Sequence, residues 1–170
     1  MGVDITATSN FCVYYVMLNY WKTILKNHPS IGFVTHGDIF STDVKEFPMY
    51  PLANIYVEDA IMTPKTMTYR LTLTLADKTK LINVDSISNT NKQIIPYEGI
   101  DDLDDIYANT IGIINDVIAF SYNFDRFEIG EIKCVPFLDE FDNGLAGWVT
   151  SFDVIVPNDC WNQCTFNLLG

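Results

Sequence analysis

Two histidines, His28 and His36, are the chain's whole supply of imidazole. His36-Gly37-Asp38 sets one of them near a carboxylate, but closeness in sequence does not make a catalytic dyad, and an exposed histidine in a turn is the expectation. No Gly-x-Ser-x-Gly elbow, His-Glu-x-x-His helix or Walker loop occurs, so serine-hydrolase and nucleotide-hydrolysing chemistry have no framework here. Cys160 and Cys164 stand four apart in CWNQC, the wrong spacing for a redox CxxC pair. A zinc site would need two more soft or imidazole ligands, while Cys12 and Cys134 sit in apolar or strand-like contexts. The acidic run Asp101, Asp102, Asp104 and Asp105 lacks the order of a calcium loop and suits a helix N-terminus, where the macrodipole is positive. Asp139, Glu140 and Asp142 have the look of a solvated turn, and nothing in their spacing pairs them with Asp104 or Asp105 as catalytic carboxylates. No catalytic residue, cofactor or metal is therefore expected.

The elements that would position any surface are clearer. Thr66 to Asp77 reads TMTYRLTLTLAD, with Met67, Tyr69, Leu71, Leu73 and Leu75 on one face and Thr66, Thr68, Arg70, Thr72 and Thr74 on the other. A period of two predicts an amphipathic strand with one face buried and one face wet. A strand over about 53–62 precedes it across Pro64, which predicts a hairpin or bulged antiparallel pair. Ser9 or Asn10 can cap a helix from Phe11 to Asn27, whose stripe is Phe11, Tyr14, Tyr15, Leu18, Trp21 and Leu25; His28-Pro29 stops it. Ile31 to Thr35 forms a short strand. A second helix, from Asp101 to about Tyr122, carries Leu103, Ile106, Tyr107, Ile114, Val117 and Ile118 on one side and Asp105, Asn109, Gly112 and Asp116 on the other. Gly112 weakens that helix, which a close helix approach would explain. Strands over about 127–138 and 145–156 flank Asp142-Asn143-Gly144, a strong hairpin turn. The order α-β-β-β-α-β-β predicts an α+β fold: a mixed, mostly antiparallel sheet with two main helices packed on one face.

The 170 residues suit a single domain with a real core. The hydrophobic fraction is 48% and mean hydropathy +0.11, with 14% aromatics, which argues against disorder and leaves apolar area for protein–protein contact. The net charge of −12 is lopsided: residues 1–97 hold 8 acidic and 8 basic groups, whereas residues 98–170 hold 14 acidic and 2 basic, Arg126 and Lys133. Such a surface repels phosphate backbones, so sequence-specific nucleic-acid binding is disfavoured. Met1–Asn10 is polar without a basic leader, and the apolar run Phe11–Leu18 falls short of the about 20 residues a membrane span needs. No signal peptide and no membrane role are expected, and the cysteines fit synthesis in a reducing cytoplasm.

Two segments stand apart. Residues 78–99 read as a long exposed loop, and loops of that length tend to carry function or contacts. The tail at 160–170 places Trp161, Phe166, Leu168 and Leu169 after the last strand, and these four are the candidate subunit-interface residues.

HPSIGFVTHGDIFSTD (28–43), YPLANIYVEDA (50–60) and LAGWVTSFDVIVPND (145–159), in this order, resemble a family of small proteins of tailed bacteriophages, notably the crAss-like group. The resemblance covers roughly residues 9–160. It implies a virion structural role similar to tail-terminator or tail-completion proteins, small α+β subunits that form rings between the portal vertex and the tail. It carries over fold-determining positions only: Pro29, Gly37, Asp38, Pro51, Leu52, Ala53, Gly147, Trp148 and Pro157. The expectation is a non-enzymatic neck or tail ring subunit, made in the bacterial host cytoplasm and located in the virion. Its partners would be copies of itself and other neck, tail and portal-proximal proteins. Two alternatives stay open: a small carboxylate-dependent hydrolase or nuclease, and an acidic inhibitor that mimics DNA.

Overall fold

A computed structural model describes residues 13–37, 49–79, 98–123, 126–138 and 144–157. The elements are α1 (Val13–Asn27), β1 (Phe33–His36), β2 (Leu52–Met62), β3 (Thr66–Lys78), α2 (Glu98–Ser121), β4 (Glu128–Leu138) and β5 (Leu145–Pro157). The five strands form one sheet in the order β1-β2-β3-β5-β4. β1 runs parallel to β2, and every other pair is antiparallel, so the fold is α+β in the order expected.

β3 and β5 pair over their full length, from Thr66 opposite Pro157 to Lys78 opposite Leu145. Tyr69, Leu71, Leu73 and Leu75 of β3, with Phe152 and Val154 of β5, form the buried face. Both helices lie on it. α1 turns Met17, Leu18, Trp21 and Leu25 inward, and α2 turns Ile113, Ile114, Val117 and Ile118 into the same hydrophobic cluster. Trp21 anchors the contact, with its ring centroid 5.0 Å from that of Phe152 and 6.0 Å from that of Phe127. Truncating a buried aromatic of this kind costs about 3–5 kcal/mol.

The helices run antiparallel: Tyr20 lies against Ser121, and His28 Nε2 stands 3.8 Å from Asp116 Oδ2. Burial pushes the Tyr20 phenol above its ordinary pKa, an effect the Ser121 hydroxyl partly offsets. At the other end of α2 the Trp148 indole N–H donates to the Tyr107 carbonyl at 2.9 Å, while the Tyr107 hydroxyl donates to the Phe137 carbonyl at 3.1 Å. These two bonds fasten α2 across the β4–β5 pair.

Local chemistry explains the joints. The residue before Pro29 ends α1. Tyr50-Pro51 is a cis peptide, and the Pro51 carbonyl receives the Gly32 N–H at 2.9 Å, delivering Leu52 and Ala53 fully buried into β2. Gly144 has φ +63°, the left-handed geometry that an Asn-Gly turn supplies. Gly147 is required for another reason: a Cβ there would overlap the Leu75 carbonyl oxygen of β3.

Several expectations need correction. The stripe of α1 uses Met17, whereas Tyr15 is exposed. α2 begins at Glu98, three residues before the expected start, so Asp101 to Asp105 occupy its first two turns. The helix-free face of β3 is not uniformly wet: Thr74 and Ala76 are buried there, as are Leu52 and Leu145. Asn54 is buried at the same end, satisfied by Thr35 Oγ1 at 2.9 Å and the Gly37 carbonyl at 3.2 Å. Gly112 faces open space, with nothing within 4 Å of where a Cβ would sit, so no close approach explains it.

The two glycines should therefore respond oppositely to alanine. Gly112→Ala is expected to raise stability by roughly 1 kcal/mol, the helix-propensity difference. Gly147→Ala is expected to lower it by about 3 kcal/mol or more, as overpacking against backbone does. Urea unfolding midpoints of the two variants check both signs.

Candidate assembly surface

β2 outruns its neighbour. β1 pairs with Leu52 to Ile55, and among the described residues the Gly37 N–H to the Ile55 carbonyl, at 3.0 Å, is the last bond on that side. From Tyr56 to Met62 no described strand pairs with the outer edge of β2. β4 forms the opposite edge, with β5 on one side and no described strand on the other. Unpaired strand edges present rows of N–H and C=O groups that invite another strand.

Exposed apolar side chains collect on these edges. Ile61 is 56% and Met62 61% exposed on β2, with Tyr56 exposed at the other end of its unpaired stretch; Val135 and Leu138 are exposed on β4. The others among the described residues are Tyr15, Met49, Phe120 and Tyr122. Each edge carries partial protection. A bulge between Val57 and Asp59 leaves Glu58 out of the β3 ladder, and a bulge between Ile129 and Ile132 interrupts β4. Pro136 removes one donor from β4. The stretch Ala60-Ile61-Met62 has neither charge nor proline.

The middle of the helix-free face is polar. Arg70 of β3 lies 3.6 Å from Asp59 of β2 and donates from Nε to Asp153 of β5 at 3.2 Å. The hydrogen bond that Arg70 donates to Asp153, helped by the Asp59 charge, raises the Arg70 pKa. One pleat along, the Thr72 hydroxyl meets the Glu58 carboxylate and lies 3.3 Å from Ser151 Oγ. This row binds three strands laterally and stays in water, so salt screens it.

Among the described residues, those singled out for chemistry do not converge. His28 contacts Asp116 and accepts the Ser30 N–H at Nδ1 (3.3 Å), whereas His36 sits exposed at the end of β1. Asp104 and Asp105 are exposed on α2. Cys134 is a free thiol that accepts from Thr150 Oγ1 at 3.5 Å. Among the described residues no three His, Cys, Asp or Glu side chains group as a metal site would, and no helix is long and apolar enough to cross a membrane. Trp161, Phe166, Leu168 and Leu169, the interface candidates, lie outside the described residues, as do Cys12, Cys160, Cys164, Asp38, Asp139, Glu140, Asp142 and most of the 78–99 segment. The edge residues Ile61, Met62, Val135 and Leu138 were not expected from the sequence. Their signal was present: in Ala60-Ile61-Met62 the alternation of a half-buried strand breaks down. No protein-family model and no curated protein sequence matches the chain.

An exposed trio should matter little to the fold. Arg70→Gln is expected to lower the urea midpoint slightly at low ionic strength and leave it unchanged in high salt. A large loss at both salt levels would mark Arg70 as a structural clamp.

Proposed function

We propose that the chain is a non-enzymatic structural subunit of a tailed bacteriophage, forming a ring in the neck or tail of the tail-terminator or portal-to-tail connector type. The observation that carries this reading is the concentration of exposed apolar side chains along both open edges of one sheet. The resemblance of residues 28–43, 50–60 and 145–159 to small phage tail-completion proteins supplies the setting. Several of the carried-over positions have structural work to do: Pro51 at the cis bond, Gly147 at the β3–β5 contact, Trp148 of β5 in its hydrogen bond to the Tyr107 carbonyl of α2. None of them needs a substrate to account for it.

Ring subunits associate head-to-tail through heterologous contacts, which close when the rotation divides evenly. A sheet presenting a different edge on each side suits such an arrangement. The partners are copies of the same chain and the neighbouring neck, tail and portal-proximal proteins; the location is the virion. The acidic surplus of residues 98–170 would face the channel, where it repels passing DNA.

Mass spectrometry of purified phage particles, with electron microscopy of the neck, tests the reading. The expected result is recovery at a copy number that is a multiple of six, with density for the sheet in a ring. Absence from mature virions, together with turnover of a substrate in vitro, would overturn it.

A further inference from the structure

The two open edges differ in length, charge and direction, and together they describe a joint. We propose that Ile132 to Phe137 of one copy's β4 pairs antiparallel with Tyr56 to Met62 of the next copy's β2, so that the sheet continues from subunit to subunit. This rests on the ring reading and names its contact.

Strand direction comes first. β2 is antiparallel to β3, β3 to β5 and β5 to β4, so β4 points opposite to β2. Where the strands run along the ring axis, a neighbour related by rotation keeps their directions, so its β4 arrives antiparallel to β2. Antiparallel pairing is the stronger ladder.

Length and facing then choose the register. On β2, Val57, Ala60 and Met62 share the helix-covered face with Leu71, Tyr69 and Met67, while Tyr56, Asp59 and Ile61 share the other with Thr72, Arg70 and Thr68. On β4, Ile132, Cys134 and Pro136 lie opposite Phe152, Thr150 and Trp148 on the helix side, and the odd-numbered residues from Lys133 to Phe137 on the other. A one-residue slip would put every side chain on the wrong face. The register running from Met62 opposite Ile132 to Tyr56 opposite Phe137, with Glu58 left out by its bulge, matches faces throughout. Moving β4 two residues towards β1 drives its end into His36, which already pairs with Ile55. Pro136 falls opposite Val57, beside the bulge, where the ladder is already interrupted.

Charge agrees. The free stretch of β2 carries Glu58 and Asp59 and no base, whereas Ile132 to Phe137 carries Lys133 and no acid, the β4 carboxylates Glu128 and Glu131 falling before the paired stretch. In this register Lys133 faces Ile61 and lies diagonal to Asp59, within reach of a long side chain. The contact also covers Ile61, Met62 and Val135, which are exposed in the single chain.

Sedimentation velocity of the full-length protein and its variants tests the register, with circular dichroism to establish folding. Ile61→Lys should weaken self-association at least roughly tenfold, since it sets two lysines opposite each other. Ile61→Glu should weaken it less, and Ile61→Lys combined with Lys133→Glu should regain part of the loss. A contact between two copies of β2 would be blind to Lys133, so failure of that recovery overturns the proposal. As a second readout, p-benzoylphenylalanine at position 61 should photo-cross-link to the neighbour's β4 peptide around Lys133. Cross-links to β2, no intermolecular cross-link, or a wild-type chain that stays monomeric at its solubility limit would each overturn the joint. The two readings separate cleanly. Virions that incorporate Ile61→Lys at wild-type copy number keep the neck role and lose the edge contact. Mapped β2–β4 cross-links in a chain absent from virions keep the contact and lose the neck role.

Discussion

The ladder between β3 and β5 is the interaction on which the rest of this molecule depends. Both strands are thirteen residues long and pair end to end. Their shared face supplies Tyr69, Leu71, Leu73, Leu75, Phe152 and Val154, the floor onto which both helices pack. Without that floor Trp21 loses the Phe152 ring, and α2 loses the Trp148 bond that holds it across the sheet. At Gly147 the ladder leaves no room for a Cβ beside the Leu75 carbonyl, which explains why a residue with no side chain sits near the start of this strand. The outer strands β1, β2 and β4 then read as additions to a central pair.

Much of this was legible in the chain because each element carries its own period. The alternation in TMTYRLTLTLAD announced β3, and helical spacing announced α1 and α2, because a half-buried element imposes that pattern on any sequence. Boundaries set by special residues, such as His28-Pro29 and Gly144, were legible for the same local reason. The parallel pairing of β1 with β2, and the insertion of β5 between β3 and β4, were not, because both depend on contacts between distant segments. Tyr15 and Met17 show the limit of the helical pattern: both sit near the edge of the apolar stripe, and only the position of the sheet decides which one is buried. Gly112 shows it again, since the residue type reveals a weakened helix and not which side is vacant. The surface was least legible, since an exposed Ile61 and a core isoleucine are the same letter until strand pairing is known.

The proposed role is that of a scaffold. Polar groups on the described surface are spent on lateral ties such as Asp59–Arg70–Asp153, on caps and on turns. Two buried hydroxyls are closed locally, Thr110 on the Ile106 carbonyl and Ser121 on the Val117 carbonyl. By contrast, five of the nine large apolar side chains exposed among the described residues lie on the edge strands β2 and β4. A subunit that contributes area and rigidity to a larger wall needs this division, and the proposed neck role is its natural use.

The same central ladder has a kinetic consequence. β3 and β5 are separated by α2, β4 and the segments around them, so the contact that organises the fold closes one of the largest loops in the chain. Loop closure of that span is paid in entropy before any packing repays it, and such topologies fold slowly. During synthesis β3 emerges with β2 on one flank and nothing on the other, and it waits for the last described strand to arrive. Until then its row of Tyr, Leu and Met side chains is the stretch most open to pairing with a stranger, which makes translation of β5 the step that closes the period of risk.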